Sequence, residues 1–333
     1  MTKRPRTISI GGATEDLFVR IPSASIQRTG DRQAFVLAIG EKVRVSDVRE
    51  TSGGGAANTS VGLSRLGCDA GFCGIVGSDQ WGERLLETLR KERVDIRSAV
   101  VVEDEVSSFS IILTALSGDR TILYTPGANT HLHDATFDRE AAGQVDWVYL
   151  NRIQDDSCDI QDNIVNLFRD KKGPGLTWNP GGCHITAGLR TEGNRSLVAA
   201  SNLFLVNDEE ALIFTGEPTA EKALRSLLNA GALNVCITCG KEGCIASDGH
   251  ALYHCPIQSN VSVVETTGAG DAFGTGATWA LLSGENLPTA LKAGTMNAAS
   301  VVGFIGAQAG LLTDIEIRRR LREVNLNIRV EEL

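Results

Sequence analysis

Short apolar runs, each closed by a polar residue, recur along most of this chain. Trp147-Val148-Tyr149-Leu150 ends in Asn151, Leu176-Thr177-Trp178 in Asn179, Leu203-Phe204-Leu205-Val206 in Asn207, and Val235-Cys236-Ile237 in Thr238. Thr7-Ile8-Ser9-Ile10 before Gly11-Gly12, Phe72 to Val76, and Ala99 to Val102 have the same character. Stretches with apolar residues at helical spacing, such as Trp81 to Val94, lie between them. Strands that read as continuous apolar runs are covered on both faces, and alternation with helices is the pattern of a mainly parallel sheet between two helical layers. In that architecture ligands gather at the carboxyl ends of the strands, where Asn151, Asn179, Asn207 and Thr238 stand.

Two segments break the alternation. Ala34 to Ile39 and Lys42 to Ser46 flank Gly40-Glu41, and Phe109 to Leu116 and Thr121 to Tyr124 flank Ser117 to Arg120; each reads as a hairpin. The 333 residues are therefore read as one α/β domain over 1–333. A small β-sheet lid is inserted in two pieces, about 17–52 and 105–126, able to close over a site and exclude water.

The richest chemistry lies in Val263-Val264-Glu265-Thr266-Thr267-Gly268-Ala269-Gly270-Asp271-Ala272-Phe273. It reads as a strand end, a tight turn and a helix start. Backbone amides at such a turn face an anion, and Asp271 in the first helical turn could take a proton from a hydroxyl, the pairing that phosphoryl transfer to an alcohol needs. A structural turn capped by an aspartate, or a dinucleotide-type glycine pattern Gly268-x-Gly270-x-x-x-Gly274, fits the same letters. Elsewhere, Asp16 follows the first strand, and Gly53-Gly54-Gly55 precede a helix that carries Asn58, which allows a ligand close to the backbone. Asn207 and Glu210 are spaced for one helix face, as a phosphate contact with an acid that orders Mg²⁺, or as an ordinary capping box. Thr238-x-Gly240-x-x-Gly243 is either a nucleotide-edge loop or a hairpin turn.

Composition narrows the partners. Thirty-two basic against forty-one acidic side chains give a net charge of −9, and aromatic content is 5%; neither suits a nucleic-acid partner. No apolar run reaches the length of a membrane span, and the basic N-terminus is followed by too short an apolar run for a signal segment. The expected location is cytoplasmic, with the eight cysteines as reduced thiols. Cys236, Cys239, Cys244 and Cys255 could be read as a metal cluster. A strand through 235–238 would instead point Cys236 and Cys239 to opposite faces, as core residues. His131-x-His133 before Asp134 reads as a helix start.

Taken together these motifs resemble the ribokinase-like (PfkB) family of carbohydrate and nucleoside kinases. The likeness runs from about Thr7 to Leu312 and rests on Gly53-Gly54-Gly55-Ala56-Ala57-Asn58 with Gly67, and on Glu265 to Asp271. Gly74-x-x-Gly77-x-Asp79-x-x-Gly82, Asn207 with Glu210, Thr238-x-Gly240-x-x-Gly243, and Asn297 followed by Gly306-Ala307-Gln308 fall in the family's order. The resemblance implies a three-layer α/β/α core with a β-sheet lid, and ATP with Mg²⁺ as the phosphoryl source. Asp271 would be the general base, and the amides of Gly268, Ala269 and Gly270 the anion hole. Asp16, Gly53, Gly54, Asn58 and Asn151 would bind a small-molecule substrate. Asn207, Thr238, Gly240, Gly243 and Asn297 would line the nucleotide site, and Glu210 would hold Mg²⁺ through water. A K⁺ site would draw on Glu265, Thr267 and the backbone near Val301, Gly306 and Gly310. The family commonly has aspartate where this chain has Glu265, so the longer arm would displace that site. Ribose kinases carry lysine where this chain has Gly55 and commonly an acid where it has Asn151, which turns the expectation from ribose toward another sugar or sugar derivative. A nucleoside kinase, with Phe18, Phe35 or Phe109 as a shelf for the base, is the alternative. A non-catalytic ligand sensor on the same fold, or a dinucleotide oxidoreductase, is a more distant one. In some members the lid also makes a homodimer contact.

Overall fold

The computed structural model describes residues 4–22, 26–29, 32–115, 120–133, 144–153, 167–168 and 173–333. The strands are β1 (Arg6–Ile10), β2 (Thr14–Arg20), β3 (Ile26–Thr29), β4 (Arg32–Phe35), β5 (Val48–Gly53), β6 (Asp69–Gly77), β7 (Asp95–Val102) and β8 (Phe109–Thr114). They continue with β9 (Arg120–Thr125), β10 (Trp147–Leu150), β11 (Gly175–Trp178), β12 (Leu203–Asn207), β13 (Val235–Thr238), β14 (Cys244–Ser247), β15 (Ala251–Cys255) and β16 (Arg329–Glu332). The α-helices are α1 (Gly55–Arg65), α2 (Gln80–Lys91), α3 (Cys183–Ala187), α4 (Glu192–Ala200), α5 (Asp208–Thr215), α6 (Ala220–Asn229), α7 (Ala269–Leu282), α8 (Leu287–Val301) and α9 (Asp314–Glu323).

The main sheet runs β16-β15-β14-β13-β12-β11-β10-β1-β6-β7. Its strands from β13 to β7 pair in parallel, and β14, β15 and β16 extend it antiparallel. Successive residues of one strand face opposite sides. Phe204 and Val206 of β12 join a core with Leu197 and Val198 of α4, Phe214 of α5 and Leu224 of α6. Leu203 and Leu205 join another with Leu63 of α1, Phe273 and Trp279 of α7, Leu291 of α8 and Ile317 of α9. Burial on both faces is the physical reason these strands read as unbroken apolar runs.

Cys236 belongs to the second core and Cys239 packs against the first, so the two point apart as the strand period requires. Among the described residues no group of His, Cys, Asp or Glu is placed to hold a metal ion. Cys68, Cys73, Cys236, Cys239, Cys244 and Cys255 are free thiols, whereas Cys183 is disulfide-bonded, which corrects the expectation of eight free thiols. Among the described residues no helix is long and apolar enough to cross a membrane.

A second sheet, ordered β5-β2-β8-β9, stands apart from the first. The β8–β9 hairpin matches the sequence expectation, with the turn residues 117–119 outside the described set. The other hairpin does not. β3 pairs β4 instead, residues 36–46 are in neither strand, and Glu41 N only closes a turn on the Ala38 carbonyl. β5 then runs antiparallel to β2, and β2 lies parallel to β8. Val36, Leu37, Ile39 and Val43 are exposed, so no burial selects strand pairing there. His131 lies in a 3₁₀ segment, Gly127–His133, with Nε2 2.8 Å from Glu105 Oε1; Asp134 is outside the described residues.

Candidate active site

Helix α7 begins at Gly268, whose φ of 78° is the left-handed conformation that glycine adopts without penalty. A Cβ there would also overlap Ala307. The expected strand before this turn is absent. Val263 and Val264 are exposed, and the segment is held by Val264 N and Glu265 N donating to the Val302 carbonyl, at 2.8 and 3.2 Å. No side chain caps α7, so its first-turn amides keep their outward donors, and the helix dipole adds a field that favours an anion. Of the three amides assigned to the anion hole, that of Ala269 donates to the Thr266 carbonyl at 3.2 Å and closes the turn.

Asp271 sits in this first turn. Asn58 Nδ2 of α1 donates to Asp271 Oδ2 at 2.8 Å, and Gln308 Nε2 donates to Asn58 Oδ1 at 3.1 Å. Asn58 is only 3% exposed, so the amide is locked between the two and fixes the carboxylate's orientation. Burial pushes the Asp271 carboxyl up to about 6, and the Asn58 hydrogen bond works against that rise. A carboxylate that protonates so near neutrality is matched to general base work. Beneath α7, the buried Tyr149 hydroxyl has no partner among the described residues, and a Cβ on Gly274 would overlap it. Tyr149 is pushed up, first by burial and then by the charge of Asp271.

Asp16 is on β2 of the small sheet rather than in a loop after β1, and it is buried. Burial raises its carboxyl to about 6; a Ser110 hydrogen bond opposes this, and the charge of Glu265 adds to it. Gly53 on the neighbouring strand β5, diagonal to Asp16, leaves room for Asp16 Oδ2, which a side chain would overlap. Gly54 caps α1 at φ 92°, with the position of a Cβ 2.6 Å from Ala13 Cα, so only glycine fits this backbone crossing. Asn151, at the end of β10, donates from Nδ2 to Thr59 Oγ1 at 3.2 Å and to the Ile10 carbonyl at 3.3 Å. Its Oδ1 is buried without a partner among the described residues and faces Gly55. An unmet acceptor beside a glycine segment suits a hydroxyl.

The other half of the expected site lies at the ends of β12 and β13, where Asn207 and Thr238 are register partners. Asn207 and Glu210 form a reciprocal capping box on α5: Glu210 N donates to Asn207 Oδ1 at 2.8 Å and Asn207 N to Glu210 Oε2 at 3.0 Å. Burial raises the Glu210 carboxyl. Gly240 and Gly243 bound a 3₁₀ turn joining β13 to β14. Asn297 is wholly buried and does not line an open surface. Its Nδ2 donates to the Ala272 carbonyl at 2.7 Å and its Oδ1 accepts from Leu312 N at 2.9 Å, so it ties α8 to α7 and to the 312 segment. Asp79 is also structural: it caps α2 through Gly82 N and accepts from Ser107 Oγ.

The pfkB family carbohydrate kinase model matches residues 19–314. The chain belongs to that family. It is a phosphotransferase that uses an alcohol group as acceptor. An uncharacterized sugar kinase of Archaeoglobus fulgidus is 29% identical over 261 residues, covering 77% of this chain and all of that one. The ribokinase of Haemophilus influenzae is 27% identical, covering 82% and 88%. The structure of Arabidopsis thaliana ribokinase complexed with ribose and ATP superposes with a TM-score of 0.76 at 21% identity, over 96% of this chain and 99% of that one.

Some side chains around Asp271 and its turn carried no local signal. Gln308 was one letter of a motif, and its hold on Asn58 spans 250 positions. Tyr149 read only as a core strand residue. Arg120 of β9 pairs with Glu265 Oε1 and donates from the same nitrogen to Thr266 Oγ1 at 2.8 Å. Nothing in the letters around Arg120 announces that pair.

Proposed function

We propose that this protein is an ATP-dependent kinase of a free sugar or sugar derivative, with Asp271 as general base. The observation that carries the reading is the Asp271 carboxylate, aimed by Asn58 at the start of an uncapped helix and titrating near neutrality. The acceptor hydroxyl loses its proton to Asp271 as its oxygen attacks the γ-phosphorus. The bond from the γ-phosphorus to the bridging oxygen breaks, and ADP leaves with that oxygen. The amides at the start of α7, with Gly268 and Gly270, face the charge on the transferring group.

Asp16, Gly53, Gly54, Asn58 and Asn151 form the substrate side. Asp16 accepts hydroxyl protons in hydrogen bonds, and Asn151 Oδ1 offers a further acceptor. Thr238, Gly240, Gly243 and Asn207 form the nucleotide side, with Asn297 acting behind it. Glu210 commits only Oε2 to the capping box, so Oε1 fits a water of Mg²⁺. That ion, when bound, neutralises charge on the β- and γ-phosphates. The small sheet is read as the lid that excludes water. Its outer strand β9 leaves Ile122, Leu123 and Tyr124 exposed on an unpaired edge, a surface that a second copy of the chain would cover.

The test is ATP consumption with Mg²⁺ over a panel of sugars, sugar phosphates and nucleosides. Turnover with a sugar or sugar derivative is expected. ATP binding without turnover on any acceptor would instead mark a ligand sensor built on a kinase fold.

A further inference from the structure

Arg120 is the first residue of β9, on the outside of the small sheet, yet its guanidinium reaches Glu265 of the main body. The Glu265 side chain is 8% exposed and that of Arg120 is 34% exposed. A carboxylate so buried needs a cation beside it. Thr267 binds the same carboxylate locally: its N donates to Oε2 at 2.8 Å and its Oγ1 donates to Oε1 at 2.9 Å. Thr267 immediately precedes Gly268, so a chain of hydrogen bonds runs from the small sheet through Glu265 to the turn that starts α7. Arg120, Glu265, Phe18, Asp47 and Ile305 line a cleft of about 130 Å³ between the two parts.

The residues that the family resemblance assigns to K⁺ do not fit that ion here. Both Glu265 oxygens are engaged by Arg120 and Thr267, and the Val301 carbonyl accepts from Phe304 N at 3.0 Å.

We infer that the Arg120 guanidinium does the work of a monovalent cation: it is a positioning residue that neutralises Glu265, holds the anion-hole turn through Thr267, and frees phosphoryl transfer from any need for K⁺. The inference rests on the kinase reading for its effect on turnover. It also makes the anion hole depend on the lid, since the charge that steadies the turn travels with β9. Withdrawal of β9 leaves a buried carboxylate without its cation next to the site where phosphate charge must be received. Lysine at this position would keep the charge but end in a compact, strongly hydrated ammonium on a shorter arm, which is costlier to hold beside the buried carboxylate.

The test compares wild type, Arg120→Ala and Arg120→Lys in tetramethylammonium, sodium and potassium chloride at one ionic strength. ATP turnover on the acceptor found by the panel and thermal unfolding are both measured. Wild type should show the same kcat and the same Tm in all three salts. Arg120→Ala should lose about 10- to 100-fold in kcat without K⁺ through misplacement of the turn. K⁺ should recover part of that loss and raise this variant's Tm, by entering beside the vacated carboxylate. Arg120→Lys should fall between the two. Activation of wild type by K⁺, or an Arg120→Ala enzyme at wild-type kcat in tetramethylammonium, would overturn the assignment. If no acceptor turns over, the kinase reading fails alone, and the K⁺ response of the Arg120→Ala Tm still decides whether Arg120 fills a cation's place.

Discussion

The main sheet and the small sheet each bring a carboxylate to the site, and they hold it by different means. On the main side, Asp271 stands on a helix whose Phe273, Ala277 and Trp279 are sunk in the core, and Asn58 comes from a second helix packed on the same face. On the small side, Asp16 is buried on β2 beside Phe18, whereas Arg120 stands on β9, which is exposed along its whole length; Leu203 to Val206 of β12 are buried. Packing fixes the first set to within a side-chain rotamer. Charge and hydrogen bonds across a cleft fix Arg120 against Glu265 and Thr266, and displacement of β9 would weaken them. In the proposed reaction the base therefore stands on the well-packed part, and the turn's counter-charge comes from an exposed edge strand.

The largest expected effect tests the rigid side. Asp271→Asn removes the proton acceptor and keeps the Asn58 contact, so kcat should fall by about 10²–10⁴ while ATP affinity is retained. Near-normal turnover would move the base elsewhere, Asp16 first. The same variant should be more stable than wild type at neutral pH. The carboxyl's folded value, raised to about 6, lies above the ordinary 3.8, so its contribution to stability is full below about pH 4 and is lost as pH rises through 6. The gain above pH 7 should be on the order of 3 kcal/mol and should disappear near pH 4, as calorimetry would read it.

Next in size, Gly54→Ala and Gly53→Ala set the two regions against each other. Alanine at Gly54 meets the Ala13 backbone at φ 92° and should destabilise the fold by about 2–3 kcal/mol. Alanine at Gly53 meets only the movable Asp16 carboxylate, so KM for the acceptor should rise several-fold with little change in Tm. An unchanged KM in Gly53→Ala would take Asp16 out of the substrate site.

A smaller effect is expected in the pH profile. Asp16 and Asp271 must both be ionised, and burial raises each to about 6. On the acid side log kcat/KM should therefore fall with a slope steeper than one, and Asp16→Asn should return the slope to one on a lower plateau. The smallest effect belongs to Cys239→Ser, which should leave kcat and metal content unchanged. Cys236→Ser, wholly buried, should cost about 1–2 kcal/mol of stability with kcat also retained.

Much of this could be read from the letters, and the limit has a physical cause. Strands β10 to β13 are buried on both sides, so their apolar runs and closing polar residues announced them. Gly54 and Gly268 were legible because the backbone there takes a positive φ that favours glycine. The first hairpin was misplaced because Val36 to Val43 are exposed, and without a buried face nothing selects one pairing over the next. Asn297 read as a ligand contact, yet a buried amide that ties three segments together carries the same letter.

The sequence by itself determined the parallel core, the helix proposed to receive phosphate and the carboxylate in its first turn, since each depends on neighbours a few residues away. Only the tertiary structure decided which side chains serve that carboxylate and that turn. Asn58 meets Asp271 across 213 positions and Arg120 meets Glu265 across 145, because sheet order and the folding back of β9 set those encounters and no local pattern encodes them.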